Sequence, residues 1–283
     1  MRPTQQILGA AAAAGLLTLA SCASAENAVP DAGSAGSGGA GGPVTVGIKF
    51  DQPGLGQQVG SDFKGFDVEV AKYVAKELGY TDVTFKESPS AQRETLLQSG
   101  QVKMIFATYS ITDERKQKVS FGGPYFVAGQ DLLVKNDNTD ITGPDALDGK
   151  KLCSVTGSTS AQKIKDNFAT GVQLQEFDTY SKCVQALNSG TIDAVTTDNV
   201  ILAGFAAQSQ YQGKLKVVGQ PFSEERYGVG LKQGDTALCE SVNTAIQKMV
   251  DDGAWQKALD DTVGPSGFEL DTATNPPKPD PCS

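Results

Sequence analysis

Apolar runs of strand length alternate with amphipathic runs of helical period from Val44 onward, and this alternation constrains the fold more than any other feature. Val44–Ile48 reads as a continuous apolar strand. Phe66–Leu78 carries Phe66, Val70, Val74 and Leu78 on one stripe, Asp67 and Glu69 in its first turn and Gly79 just past its end, which specifies an amphipathic helix. Val83–Phe85 follows as a strand, Glu94–Gln98 as a helix stopped by Gly100, and Val102–Phe106 as a strand. Strands joined through helices build a mostly parallel sheet with helices on its faces.

A second series starts at Lys151. Leu152–Val155, Leu174–Phe177 and Ile192–Thr196 read as strands, and Ser160–Phe168, Ser181–Leu187 and Asn199–Ala207 as helices. Leu215–Val218, Tyr227–Leu231, a long helix over Asp235–Asp252 and another from Ala254 complete it. Leu97, Ser99, Gly100, Val102 and Ile105 recur as Leu187, Ser189, Gly190, Ile192 and Val195, each 90 positions later. In both places a helix ends at Ser-Gly and the next strand exits at a polar group. Two similar α/β lobes enclose a cleft, and ligands of such sheets bind beyond the carboxyl ends of the strands, where Thr108, Ser110, Thr159 and Asp198 fall.

These strand exits carry the candidate chemistry. Ala107–Arg115 brings small hydroxyl residues, Thr112 as a helix cap and the forked guanidinium of Arg115 to one place. Such a group grips a carboxylate; equally, Arg115 fits a solvated charged turn with Lys116 and Lys118. Thr156–Thr159 opens a helix and either points backbone N–H groups at an anion or is an ordinary turn capped by Ser158. Asp198 is either the partner of a cation or the N-cap of the helix it precedes. Lys49 directly follows the first strand. Arg93 stands at a helix N-terminus, where a cation opposes the dipole, so it has no local reason to be there.

Composition removes other classes. A net charge of −9 opposes nucleic acid or an anionic membrane surface as partner. The absence of histidine removes Ser-His-Asp and Cys-His nucleophile systems and imidazole metal sites. No cysteine spacing resembles a zinc site. Met1-Arg-Pro, the apolar run Ile7–Leu19 and Leu19-Ala-Ser-Cys22 read as an export leader with a lipobox, spanning 1–22 and leaving Cys22 acylated; the competing reading is cleavage near Ala23-Ser-Ala25. Residues 23–43 form a Gly-rich spacer with a reach of roughly 25 Å. Residues 271–283 are a Pro-rich tail. Cys153, Cys183, Cys239 and Cys282 allow three disulfide connectivities, and pairing within one structural unit favours Cys153–Cys183 and Cys239–Cys282.

Phe66-Asp-Val-Glu-Val70 after Gly65, Ser110-Ile-Thr-Asp-Glu-Arg115 and Gly123-Pro-Tyr125 resemble family 3 of the solute-binding proteins, the polar amino-acid receptors of ABC importers. The likeness covers roughly residues 44–270 and is strongest to the glutamate-binding lipoproteins. It implies the two-lobe periplasmic-binding-protein (type II) fold, with crossovers at Tyr125–Gly129 and Gly219–Ser223. Residues 44–126 plus 221–270 would form lobe 1 and residues 127–220 lobe 2, closing on a ligand. The resemblance places the ligand's α-carboxylate on Arg115 and the Thr159 turn, its ammonium on Asp198 with Ser110 and Thr108, and an acidic side chain on Lys49 and Arg93. It implies no enzyme activity, no cofactor and no metal. The expected partners are an acidic amino acid and an ABC permease, with the chain monomeric and lipid-anchored at the outer face of the cell membrane. A glutamine or asparagine receptor, or one serving a separate membrane sensor, is the alternative. If Cys22 is acylated, Cys22→Ala should release the protein into the medium, as fractionation and immunoblotting would show; wild-type retention in membranes would refute the anchor.

Overall fold

The computed structural model describes residues 41–168 and 171–282. The leader with Cys22, and the spacer as far as residue 40, lie outside the described residues. Pro43, expected in the spacer, already belongs to the first strand.

In chain order the elements are β1 (Pro43–Ile48), β2 (Asp51–Gln52), β3 (Gly56–Val59), β4 (Asp62–Lys64), α1 (Phe66–Glu77), β5 (Asp82–Glu87), α2 (Arg93–Gln98), β6 (Met104–Phe106), α3 (Asp113–Lys116) and β7 (Val119–Ala128). Then come β8 (Gln130–Lys135), β9 (Lys151–Val155), α4 (Thr159–Asn167), β10 (Gln173–Phe177), α5 (Tyr180–Ser189), β11 (Ala194–Asp198), α6 (Asn199–Ala206), β12 (Leu215–Val217), β13 (Glu225–Lys232), α7 (Thr236–Asp251) and α8 (Ala254–Thr262).

Two five-stranded sheets share one plan. The first runs β5-β1-β6-β13-β7 and the second β10-β9-β11-β8-β12. In the first, β1 pairs parallel with β5 and β6, while β13 lies antiparallel to β6 and β7. In the second, β9 pairs parallel with β10 and β11, while β8 lies antiparallel to β11 and β12. Each sheet is therefore parallel over three strands and mixed beyond them. The reason is the route of the chain: β8 and β13 each arrive from the other sheet, β8 entering beside the carboxyl end of β11 and β13 beside that of β7. Gln130 pairs with Asp198, and Glu225 with Ala128.

The 90-residue correspondence is a repeat in space as well. Gln101 and Val102 both donate to Leu96 O, at 3.0 and 3.4 Å, just as Thr191 and Ile192 donate to Ala186 O, at 2.9 and 3.4 Å. The next residue in each segment, Lys103 or Asp193, donates to the sheet's first parallel strand, at Thr45 O or Lys151 O. Apolar spacing thus places β6 and β11 in the same position of their sheets.

Four strands escape the periodicity. The β2-β3-β4 meander lies in a Gly-, Gln- and Pro-containing stretch without apolar alternation, and β7 contains Gly122, Gly123 and Pro124. Proline is tolerated there because β7 is the edge strand of its sheet. Behind β7 and β13, Phe66, Tyr125, Phe126, Tyr227 and Trp255 form a buried aromatic layer, and Trp255 Nε1 donates to Tyr125 O at 2.8 Å.

The tail is held against this edge. Asn275 accepts from Val127 N and donates to Val127 O, both at 2.9 Å, and Asp280 pairs with Arg226, the residue opposite Val127. Disulfides join Cys153 to Cys183 and Cys239 to Cys282, the second across 43 residues. Cross-linking a loop of that length restricts the unfolded chain by about 3–4 kcal/mol. Cys239→Ser with Cys282→Ser should lower unfolding stability by about that amount in urea titration, and an unchanged midpoint would show that the tail does not bear on stability.

Candidate functional site

The site begins with a strained residue. Thr108, just past β6, has φ 45°, and among the described residues it alone has positive φ without being glycine. Asp67 holds it there: Oδ2 accepts from Thr108 N at 2.9 Å and Oδ1 from Tyr125 Oη at 2.7 Å. Asp67 is fully buried, and desolvation pushes its carboxyl up to about 6 despite those bonds. Its first-turn place in α1 concealed this role from sequence reasoning. Thr108 Oγ1 is 3.2 Å from Gln52 Oε1 and 2.8 Å from Ala107 O, both acceptors for its hydroxyl. Gln52, which the sequence reading missed in its Gly-rich surroundings, is buried with Nε2 unpartnered.

Three cations converge beside this turn. Arg93, the first residue of α2, is buried; Nη1 donates to Ala107 O at 2.9 Å, and Nε has no partner. Burial and then Arg115 lower its pKa to about 10. Lys49 is buried, 3.5 Å from Ser90 Oγ, and desolvation lowers it to about 8. Arg115, in α3 behind the Thr112 cap, donates from Nη1 to Ser110 O at 2.7 Å and from Nη2 to Gly157 O at 3.1 Å. Since Gly157 follows β9, that guanidinium bridges the two sheets. Gly157 has φ +78°, and a Cβ there would sit 2.7 Å from Ala91 Cα, so only glycine lets the turn approach the start of α2.

The opposing side supplies hydroxyls and carboxylates. Ser158 caps α4, accepting from Ala161 N at 2.9 Å, while Thr159 Oγ1 lies 3.3 Å from Ser110 Oγ and donates to Glu225 Oε2 at 3.1 Å. Asp198 stands before α6, but its side chain makes no cap bond. It accepts from Tyr227 Oη at 2.6 Å through Oδ2, and Oδ1 is buried without a partner. Burial, and secondly Glu225, push its carboxyl up to about 7. Glu225 moves the other way, because the Lys163 cation donating to it, with Ser223, outweighs its burial; Thr159 donates to it as well. The pair thus differs chiefly through Lys163, which bonds Glu225 and not Asp198. In Ser223-Glu-Glu-Arg226 nothing in the sequence separates Glu225 from the exposed Glu224.

All seven residues expected from the sequence therefore lie on this seam, joined by Gln52, Asp67, Glu225 and Lys163. A cavity of about 610 Å³ opens along it, lined by Arg115, Gly157, Thr159 and Lys163 among others. A groove of about 690 Å³ between α1 and α8 contains none of the seven. Unpartnered donors on Gln52 and Arg93 and an unpartnered acceptor on Asp198 suit a small molecule with negative and positive ends.

The sequence profile of the bacterial extracellular solute-binding proteins, family 3, matches residues 44–265. The chain is 48% identical over 234 residues to the glutamate-binding protein GluB of Corynebacterium efficiens, covering 78% of this chain and 79% of that one. It is 44% identical over 281 residues to GluB of Corynebacterium glutamicum, covering 95% and 92%. An ancestral arginine-binding protein bound to glutamine superposes with a TM-score of 0.73 at 37% identity, over 78% of this chain and 98% of that one.

Asp198 gives a test with a definite sign. Its folded pKa is raised from 3.8, so the stability it contributes is full below about pH 4 and is lost as pH rises through about 7. Asp198→Asn stays neutral throughout. Without ligand, its thermal stability relative to wild type should rise between about pH 4 and 7 and level off above. A pH-independent difference would show that Asp198 is not buried as described.

Proposed function

The chain belongs to the bacterial extracellular solute-binding proteins, family 3, and we propose that it is the lipid-anchored receptor that captures glutamate or aspartate between two closing lobes for an ABC importer. The family makes it an amino-acid-binding receptor rather than an enzyme. The observation carrying the acidic specificity is that Lys49, Arg93 and Arg115 are all buried at one seam, where a lone cation is costly and a dicarboxylate offers two partners.

In this reading Arg115, Thr108, Ser110 and the Thr159 turn hold the α-carboxylate, and Asp198 the ammonium. Arg93 and Lys49 meet the side-chain carboxylate, with the Gln52 amide beside them. Pairing with an ammonium restores the charged form of Asp198, and pairing with a carboxylate restores that of Lys49, so binding reverses both shifts. The GluB relatives support this reading. A glutamine receptor is the second reading: the unpartnered Gln52 nitrogen can donate to a neutral amide oxygen, and the superposed ancestral protein holds glutamine.

Each charge-assisted bond from these groups is worth about 1.5–3 kcal/mol. Calorimetric titration of Arg93→Leu should show glutamate weakened by at least about tenfold and glutamine much less, whereas Arg115→Leu should weaken glutamate, aspartate and glutamine alike. Equal losses for glutamate and glutamine in Arg93→Leu would remove the acidic-ligand reading.

A further inference from the structure

Two guanidinium groups in this seam share a single aromatic ring. Arg93 Cζ lies 4.1 Å and Arg115 Cζ 4.9 Å from the centroid of Tyr109. Like charges so placed repel, and among the described residues Arg93 forms no ion pair that would offset the repulsion. The π face carries a negative quadrupole and attracts a cation within about 6 Å, the more so where water is excluded. Tyr109 is therefore the group that lets both cations share one dry space.

The ring is fixed on every side that the structure describes. Tyr109 is fully buried, and Phe121 meets it edge-on at 4.8 Å. A side chain at Gly230 would approach within 2.7 Å of Cε1, so that glycine makes room for the ring. At the far end Tyr109 Oη donates to Glu94 Oε1 at 2.7 Å, and the same oxygen lies 3.7 Å from Arg115 Nε. Glu94 thus orients the ring and one of its two cations together.

We propose that Tyr109, backed by Glu94, is the positioning residue of this site and a determinant of its selectivity, setting Arg93 for the ligand's side chain and Arg115 for its α-carboxylate. This rests on the roles proposed for those two arginines. Tyr109 acts through them, since a fully buried ring held from behind by Glu94 has no surface of its own to offer a ligand.

The test replaces Tyr109 by phenylalanine and by mono-, di- and trifluorinated phenylalanines, which keep the ring's shape while draining its π face. Glutamate and glutamine are titrated calorimetrically against each protein. Glutamate affinity should fall stepwise with fluorination, reaching a loss on the order of tenfold, and the glutamate-to-glutamine ratio should fall with it. Repeated in Arg93→Leu, the series should leave the ratio constant. Flat affinities across the series, or a ratio that still falls without Arg93, would overturn the proposal. Wild-type protein that does not prefer glutamate to glutamine would instead refute the acidic-ligand reading; the Arg115 half would then be read from the common affinity of both amino acids. Tyr109→Phe alone should keep the wild-type ratio within about threefold, because the ring remains. Glu94→Gln, which keeps an acceptor for Oη and removes the charge beside Arg115, should change the affinities of both amino acids by the same factor.

Discussion

Charge taken out of water must be paired, shifted or stabilised by dipoles, and the seam between the two sheets resolves that constraint residue by residue. Asp67 accepts two strong hydrogen bonds, yet desolvation still wins and leaves its carboxyl near 6. Glu225 has three donors, and there the bonds win. Asp198 has one donor and an unpartnered oxygen, so burial wins again. These three buried carboxylates thus settle at different protonation balances, set by burial against the donors and cations that face each.

The exchange of strands between the sheets explains why these groups meet. β7 ends at Ala128 beside the start of β13, and β8 begins at Gln130 beside the end of β11, so both sheets present their strand ends to the same place. Gly129 lies between β7 and β8, where a Cβ would come within 2.8 Å of both Pro221 Cβ and Ser223 O. The two connecting segments can touch only because that residue lacks a side chain. Phe222 N then donates to Gln130 O at 2.9 Å, tying one connection to the other.

Much of this was legible in the sequence, for a physical reason. Apolar period and the 90-residue correspondence report which face of each segment is buried, and that fixes the order β1-α1-β5 and β9-α4-β10 before any contact is known. Arg93 was conspicuous because a cation at a helix N-terminus is locally unfavourable. What stayed hidden depends on distant partners. Asp198 looks like an N-cap until Tyr227, 29 residues away, is seen to take its oxygen. Gln52 gains meaning only from Thr108, and Asp67 only from Tyr125 and the backbone of Thr108. The β2-β3-β4 meander has no apolar period to detect, being a small sheet packed on its neighbours rather than a half of either core.

The grip of Asn275 on Val127 has a bearing beyond the fold of one chain. An edge strand with free N–H and C=O groups is a template on which another copy can add a strand, and β7 is long and largely buried in character. By donating to and accepting from the same residue, the Asn275 side chain imitates a neighbouring strand one residue wide. Asp280 N adds a further bond to the same edge, donating to Gly123 O at 2.7 Å. The segment from Asn275 to Asp280 thereby occupies part of an edge on which another copy could otherwise add a strand.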